Sequence, residues 1–338
     1  MTAAVPRFVA IAAIAAWLSS DAFAVERVSP ESTTPWQVDS TPLKAKRANE
    51  AFSGFACATS GICVLAVDEG RQGAFIRIKG ERLVYVGEPF TYEGVNKELD
   101  AEAAAVDGAY FYVSGSHAAK RKTCCDNPDS RRVYRLTVDE TGYLQSSAYS
   151  ERLWDAMRSL PELAPFVFPG GCRCEVAQGR NGVDIEGMAA ANGRLFFALR
   201  APNVEGNAYI VGVEAKALFE GGDLRPSLAK IRLGANRGFR DLATVGGEAL
   251  ALVGPSDGGS AGEYSIVELR GLTKGASVQA EELAILNLHG APVGEKGEPI
   301  KPEAITVLDT SPERYRLLVL SDGGENGAPL VFDIPRKP

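Results

Sequence analysis

The chain has 338 residues, and its 43 Asp and Glu side chains outnumber its 36 Lys and Arg side chains, giving a formal net charge of −7. Because nucleic-acid phosphates repel an acidic chain, nucleic acid is excluded as an expected partner. The length accommodates one large β domain or two ordinary domains, and 36 glycines and 19 prolines indicate many tight turns.

Residues 1–24 have the pattern of a secretory signal peptide. Arg7 precedes an apolar run over 8–18, and residues 22–24 (Ala-Phe-Ala) form the small-x-small pattern that signal peptidase reads. The run is shorter than the roughly 20 residues that span a bilayer. We therefore predict cleavage after Ala24, a periplasmic or secreted location, and a soluble mature chain with no membrane span. A buried N-terminal helix is the alternative.

A five-residue unit recurs along the rest of the chain. Its first position is apolar or small, its second usually acidic, its third small, its fourth often aliphatic, and its fifth Ala or Thr. Each copy leads through a turn into a second apolar run. The copies cover 52–56, 101–105, 185–189, 239–243 and 302–306. Turns such as Asn192-Gly193 supply residues that tolerate positive φ, which is typical of β-hairpins.

Two further strand-like runs follow most copies, and four antiparallel strands per repeat are typical of a propeller blade. We therefore predict an all-β fold in which 25–338 form a single β-propeller domain of five four-stranded blades, with a sixth blade left open. The fifth copy is followed by only one more run, at 330–334, so we expect 36–38 to supply its missing strand. A pair of β-sandwiches is the alternative fold.

The spacing between the second and third copies is longer than the others, which indicates an insert over 151–182. A helix is predicted there over 150–160, ending before Pro161. The insert also contains cysteines.

Six cysteines, an even number, suit an exported protein in which disulfides persist. Cys57 and Cys63 flank one hairpin and are predicted to pair with each other. The other four occupy a loop of the second blade and the insert: Cys124, Cys125, Cys172 and Cys174. We predict two bridges between these pairs, with open connectivity. A four-thiol metal site is the alternative, although neither Cys-Cys nor Cys-x-Cys has the two-residue gap of zinc knuckles.

In a propeller, the starts of the first strands and the ends of the second strands lie on one rim. Charged and polar residues of the repeats are therefore predicted to converge at one mouth of the central channel. The first strands supply Asp100, Glu102, Asp184, Glu186, Arg240, Asp241 and Glu303. The second strands supply Ser116, His117, Arg200, Asp257 and Asp322. This rim is the candidate site.

A calcium site is one prediction for this rim, because hard cations take carboxylate oxygens and Glu102, Glu186 and Glu303 come from three blades. Arg240 occupies the acidic position of the fourth copy. The alternative is therefore that the acids pair with Arg200 and Arg240.

A catalytic set is the second prediction for the rim. His117 would act as a general base, Arg200 would steady an anionic substrate, and Asp241 completes the set. The basic run 120–122 follows His117 and would receive an anionic group such as phosphate. The alternative is a polar loop with a solvated charge run.

Five short motifs resemble a bacterial exported family known as domain of unknown function 3616. They lie at 99–104, 114–117, 184–187, 199–202 and 240–243. The fifth copy departs from the pattern, with Ala304 where Gly is expected. The resemblance implies a β-propeller fold and no established activity. The acid-Gly-aliphatic-Ala unit is also locally similar to esterase-like phytase propellers, which implies phosphate-ester hydrolysis only by analogy.

Two functional hypotheses follow. In the first, the rim catalyses metal-assisted hydrolysis of a phosphate ester or a lactone. In the second, the rim is a non-catalytic site for a small anionic ligand or for a partner in the cell envelope. Whether the protein is an enzyme is open at this point, as is a purely structural role for the rim charges.

Overall fold

The computed structural model describes residues 25–167, 170–172, 182–257, 262–275, 277–295 and 297–337. Its strands form five sheets, and each copy of the repeat lies on the first strand of one sheet. The first blade contains β3 (Phe52–Cys57), β4 (Ile62–Val67), β5 (Gln72–Ile78) and β6 (Arg82–Thr91). The second contains β7 (Ala101–Asp107), β8 (Tyr110–Gly115), β9 (Val133–Val138) and β10 (Leu144–Ser150).

The remaining blades follow the same antiparallel order. The third contains β11 (Asp184–Ala191), β12 (Arg194–Ala201), β13 (Asn207–Glu214) and β14 (Ser227–Arg232). The fourth contains β15 (Arg237–Val245), β16 (Glu248–Pro255), β17 (Ser265–Arg270) and β18 (Gln279–Leu286). The fifth contains β19 (Lys301–Thr310), β20 (Arg314–Asp322) and β21 (Leu330–Pro335).

The first strands of the five blades form a closed ring. Strand β3 contacts β7, β7 contacts β11, β11 contacts β15, β15 contacts β19, and β19 contacts β3. The second strands lie between neighbouring blades and are buried on both faces, which is why β4 is apolar throughout and buried throughout. The prediction of an all-β propeller with five blades is confirmed, and no sixth sheet occurs among the described residues.

The small residue of the repeat lies where neighbouring inner strands approach most closely. A Cβ atom at Gly54 would lie 2.9 Å from the backbone of Ala103, and one at Gly187 would lie 2.8 Å from the backbone of Asp241. Only glycine permits these approaches without a shift of the backbone. The third position of the repeat is therefore small because it packs against the next blade.

The N-terminal segment runs across three blades. Strand β1 (Glu26–Val28) pairs in parallel with β18 of the fourth blade, and β2 (Gln37–Val38) pairs in parallel with β6 of the first. Between them, the N–H groups of Glu31 and Trp36 donate to the carbonyls of Val331 (2.8 Å) and Pro329 (2.9 Å) beside the fifth blade.

The prediction that 36–38 complete the fifth blade is wrong, because that sheet has three strands. Pro30 and Pro35 lie in the crossing segment and have no N–H to donate, so a continuous ladder along β21 does not form there. The segment instead ties the fifth blade to its two neighbours.

Two α-helices are described. The predicted insert helix is present as α1 (Arg152–Arg158) and ends before Pro161. A second helix, α2 (Ala215–Glu220), links β13 to β14 and has no sequence prediction behind it. Short 3₁₀ helices cover Pro128–Arg131, Ala164–Phe166, Leu272–Lys274 and Glu325–Gly327. Neither α-helix, nor any other helix within the described ranges, is long and apolar enough to cross a membrane.

The disulfides follow the predicted grouping. Cys57 pairs with Cys63 across the β3–β4 hairpin, and Cys125 pairs with Cys172 in the insert. Cys124 is also disulfide-bonded. Cys174 and the predicted signal peptide, 1–24, lie outside the described residues.

Candidate functional site

A cavity of about 460 Å³ opens at one mouth of the ring, where the first three blades meet. The end of β4, the start of β7, the start of β11 and the end of β12 all reach it, as does the loop after β8. Its charged lining residues are Asp68, Glu69, Glu98, Asp100, Glu102, Lys120, Arg121, Lys122, Asp184 and Arg200. Of the twelve residues predicted to converge at this rim, four line the cavity: Asp100, Glu102, Asp184 and Arg200.

Five carboxylates form one wall of the cavity, which we call the acidic wall. They are Asp68, Glu69, Glu98, Asp100 and Glu102. Within the described parts of the chain, none of the five makes an ion pair, and only Asp100 accepts a side-chain hydrogen bond, from the Ser116 hydroxyl. One carboxylate oxygen of Asp68 is fully buried without a hydrogen-bond partner.

The crowding of the acidic wall raises the pKa values of its carboxyl groups. Burial, assisted by the charges of Asp322 and Asp100, raises the pKa of Asp68 to about 8. Burial, assisted by Glu186 and Asp68, raises the pKa of Glu102 well above its usual range. Burial also raises the pKa of Asp100, although the Ser116 hydrogen bond opposes it. Part of the wall therefore holds protons at neutral pH.

Beneath the cavity, two arginines bind three acids in a buried network. Arg200 binds Asp184 through Nη2 and Glu186 through Nη1 (2.5 Å to Oε1). Arg240, which has no exposed side-chain surface, donates from Nη1 to Glu186 Oε2 (3.1 Å) and Glu303 Oε1 (2.8 Å). Its Nη2 donates to the carbonyl of Pro255 at 2.8 Å.

The protonation of this network follows from burial and charge. Burial raises the pKa of Glu303 well above its usual range, in spite of the nearby arginines. Burial also acts to raise the pKa of Glu186, but Arg200 and Arg240 outweigh it and the pKa of Glu186 is lowered. The two carboxyl groups are hydrogen-bonded to each other, so Glu303 carries the proton and Glu186 the charge.

Asp241 lies at the third position of the fourth repeat and is fully buried beside Gly187. Its Oδ2 accepts the N–H of Ile305 at 2.8 Å, and the N–H groups of Leu242 and Met188 also point at the carboxylate. Burial raises the pKa of Asp241 well above its usual range. The side chain thus links the inner strands of three blades, and it does not line the cavity.

The three glutamates predicted to bind calcium are not brought together as one ligand set. Glu102 lies on the acidic wall, whereas Glu186 and Glu303 are bound by Arg240. No group of three metal-ligating side chains with suitable geometry occurs among the described residues. The calcium site stays a prediction, and the arrangement of Glu186 and Glu303 matches the alternative of acids paired with arginines.

The predicted base, His117, is buried behind the rim and does not line the cavity. Its Nδ1 lies 3.0 Å from the carbonyl of Gly115, and its ring stacks on Trp154 with centroids 6.2 Å apart. Arg131 covers the same indole at 3.6 Å. Burial lowers the pKa of His117 to about 4, against the effect of the Gly115 hydrogen bond.

His117 should make the fold sensitive to acid. Its pKa is about 4 in the folded protein and near 6.5 in the unfolded chain. As the pH falls from 6.5 to 4, the unfolded chain takes up the proton first, so the folded state loses about 3 kcal/mol of stability. We expect urea unfolding of His117→Asn to lack this loss. Asn accepts the positive φ of this position. If the free energy of unfolding of His117→Asn still falls between pH 7 and pH 4.5 as much as that of the wild type, His117 does not cause the loss.

Sequence reasoning missed part of the acidic wall, namely Asp68, Glu69 and Glu98. Asp68 and Glu69 directly follow β4, and Arg200 is the second-last residue of the equivalent strand β12 of the third blade. The rule that places second-strand ends on the rim therefore also applies to the first blade, and would have found these two residues. Glu98 lies in a loop before β7, where the repeat carries no signal.

Residues 81–141 and 136–327 match the model of a family described as "Protein of unknown function (DUF3616)". These segments cover more than half of the chain. The chain belongs to the DUF3616 family. The resemblance seen in the short motifs is thereby confirmed, and the local similarity to esterase-like phytases stays a prediction.

No curated protein matches this DUF3616 chain significantly. Among solved structures, it is similar to an exo-β-1,3-galactanase from Clostridium thermocellum, at 12% identity and a TM-score of 0.48, over 91% of this chain and 63% of that one. An α-L-arabinanase from Penicillium chrysogenum is similar at 10% identity and a TM-score of 0.44, over 92% and 98%. A protein from Lactobacillus plantarum is similar at 14% identity and a TM-score of 0.35, over 88% and 73%. Likenesses this distant carry no argument about activity.

Proposed function

We propose that the protein is an exported, non-catalytic binding propeller whose rim cavity takes a ligand with a cationic group. One observation carries the proposal: five carboxylates share the cavity wall, and none of them forms an ion pair within the described residues. Carboxylates that share one wall in this way either retain protons or bind a cation. Calcium and an organic ammonium group both supply the missing charge.

The buried network under the cavity supports a binding role. Arg200 and Arg240 already neutralise Asp184 and Glu186, and Glu303 is protonated, so the floor of the cavity needs no further cation. The unbalanced charge lies above it, on the acidic wall. A cation there lowers the pKa of Asp68 and displaces its proton, so affinity is expected to rise between pH 6 and pH 8.

A second candidate function is hydrolysis of a phosphate ester or a lactone. Asp68, with a pKa of about 8, holds a proton at neutral pH and is suited to act as a general acid. The basic side chains of 120–122 lie on the same cavity and would receive the anionic group of the substrate.

Calorimetric titration at pH 8 tests the binding proposal with two probes, calcium chloride and ethanolamine. We expect saturable heat with at least one probe, and a heat that changes with the ionisation enthalpy of the buffer because a proton is released. Asp68→Asn should weaken the binding about tenfold, the loss of one charged contact worth about 1.4 kcal/mol. Asp309→Asn, an exposed acid on β19, is the matched control and should have no effect.

The outcomes separate the two functions. If neither probe produces saturable heat, the binding proposal is wrong. If a probe binds and a panel of phosphomonoesters and lactones is not turned over, the non-catalytic propeller is supported. Turnover that disappears in Asp68→Asn would instead establish the hydrolase.

A further inference from the structure

A second wall of the same cavity carries the opposite charge. It is formed by Lys120, Arg121 and Lys122, in the loop that follows β8, and we call it the basic loop. All three side chains are exposed, and in the described regions none of them forms a salt bridge. Cations and carboxylates thus line one cavity of about 460 Å³ without forming salt bridges to each other. The space between them is of a size for a small ligand.

The basic loop is held in place from several directions. The N–H of Lys120 donates to the carbonyl of Cys125 at 2.9 Å, and the N–H of Cys124 donates to the carbonyl of Lys120 at 2.7 Å. The Cys125–Cys172 disulfide joins the loop to the insert. The N–H of Asp126 also donates to Gly171 at 2.8 Å. A loop that is already fixed loses little conformational entropy when a ligand binds, which favours affinity for an anionic group.

Arg200 already binds two acids of the protein. Both of its terminal nitrogens are engaged, one by Asp184 and the other by Glu186. Recognition of an anion at this rim therefore falls to the basic loop. Its three positive charges suit a phosphate, which carries close to two negative charges at neutral pH and accepts several charge-assisted hydrogen bonds.

We propose that the ligand of this cavity is a small zwitterion whose ammonium group binds the acidic wall and whose phosphate group binds the basic loop. The inference rests on the proposed cation-binding function and extends it to a ligand class. A phosphate bridged to the acidic wall by a calcium ion is the competing arrangement, and titration with calcium distinguishes it from the zwitterion.

Calorimetric titration at pH 7.5 with O-phosphoethanolamine, ethanolamine and inorganic phosphate tests the assignment. We expect O-phosphoethanolamine to bind at least about tenfold more tightly than either half, since each half lacks one charged contact. The double variant Arg121→Gln/Lys122→Gln should bind O-phosphoethanolamine only as well as ethanolamine, and its ethanolamine affinity should not change. Lys79→Gln, which removes an exposed lysine on the β5–β6 hairpin, is the charge-matched control.

Each contrary result has a distinct meaning. Equal affinity for O-phosphoethanolamine and ethanolamine overturns the zwitterion and leaves the cation-binding function intact. Absence of binding by both also overturns the zwitterion, and it overturns the cation-binding function as well when calcium does not bind either. Phosphate that binds more tightly with calcium than O-phosphoethanolamine does alone would favour a metal bridge and overturn the assignment. Sedimentation with phosphatidylethanolamine vesicles that free O-phosphoethanolamine does not reverse would show that a lipid, not a free small molecule, is the source.

Discussion

Replacing Arg240 with methionine is expected to lower the free energy of unfolding by about 4 kcal/mol. The guanidinium group is completely buried and contacts Glu186, Glu303 and the carbonyl of Pro255. Methionine fills much of the volume but leaves the charge of Glu186 buried with only Arg200 beside it. Removing one partner of a buried ion pair costs about 3–5 kcal/mol, because the remaining charge is left uncompensated.

The pH dependence of this loss identifies its cause. Without Arg240, the pKa of Glu186 rises and the folded state holds a proton that the unfolded chain has released. Stability then falls as the pH rises, so the loss should be larger at pH 8 than at pH 5 when measured by urea unfolding. The triple variant Arg240→Met/Glu186→Gln/Glu303→Gln should regain part of the lost free energy of unfolding, because no buried carboxylate is then left without Arg240.

The control for Arg240 is a variant of a partly exposed ion pair. Arg316 binds Glu31 on the surface, so Arg316→Met should cost less than about 1 kcal/mol. If Arg240→Met costs no more than this control, or if its loss does not depend on pH, the buried network does not carry the charge balance described above.

The repeat made most of the fold predictable. Inner strands need a small residue where blades meet, as at Gly54 and Gly187, and second strands buried on both faces are continuously apolar. The small residue recurs in four of the five blades, with Asp241 in its place in the fourth, and every second strand contains a buried apolar run, so both features are visible as a period. The course of 26–38 across three blades is set by single contacts, such as that between Trp36 and Pro329, which occur once and leave no pattern in the sequence.

The candidate site was predictable as a place, and less so as a set of contacts. Arg240 in an acidic position of the repeat indicated ion pairs in the ring, and the structure shows it between Glu186 and Glu303. His117 is in the predicted loop, but its ring packs against Trp154 of the insert helix. That contact depends on how the insert folds back, which spacing along the chain does not specify.

Replacing Asp68 with asparagine is expected to stabilise the protein at pH 8 by about 3 kcal/mol. Burial and neighbouring carboxylates raise the pKa of Asp68 to about 8 in the folded state, against 3.8 for the ordinary side chain. Between these two pKa values the folded protein keeps a proton that the unfolded chain loses. The free energy of unfolding therefore falls by about 1.4 kcal/mol for each unit by which the pH rises. Water in the open cavity screens part of this cost. Asparagine has no proton to keep, so the difference should vanish near pH 4.

Urea unfolding at pH 4, 6 and 8 measures the effect, with Asp309→Asn as an exposed carboxylate control that should match the wild type throughout. If the stabilisation by Asp68→Asn grows with pH, the crowded carboxylates of the acidic wall lower the stability of the wild type. Ethanolamine or calcium should then stabilise the wild type at pH 8 more than Asp68→Asn, because only the wild type gains a partner for this charge. Equal stability of the two proteins at pH 8 would mean that Asp68 is ionised and already compensated. The cavity would then have no strained carboxylate to drive cation binding.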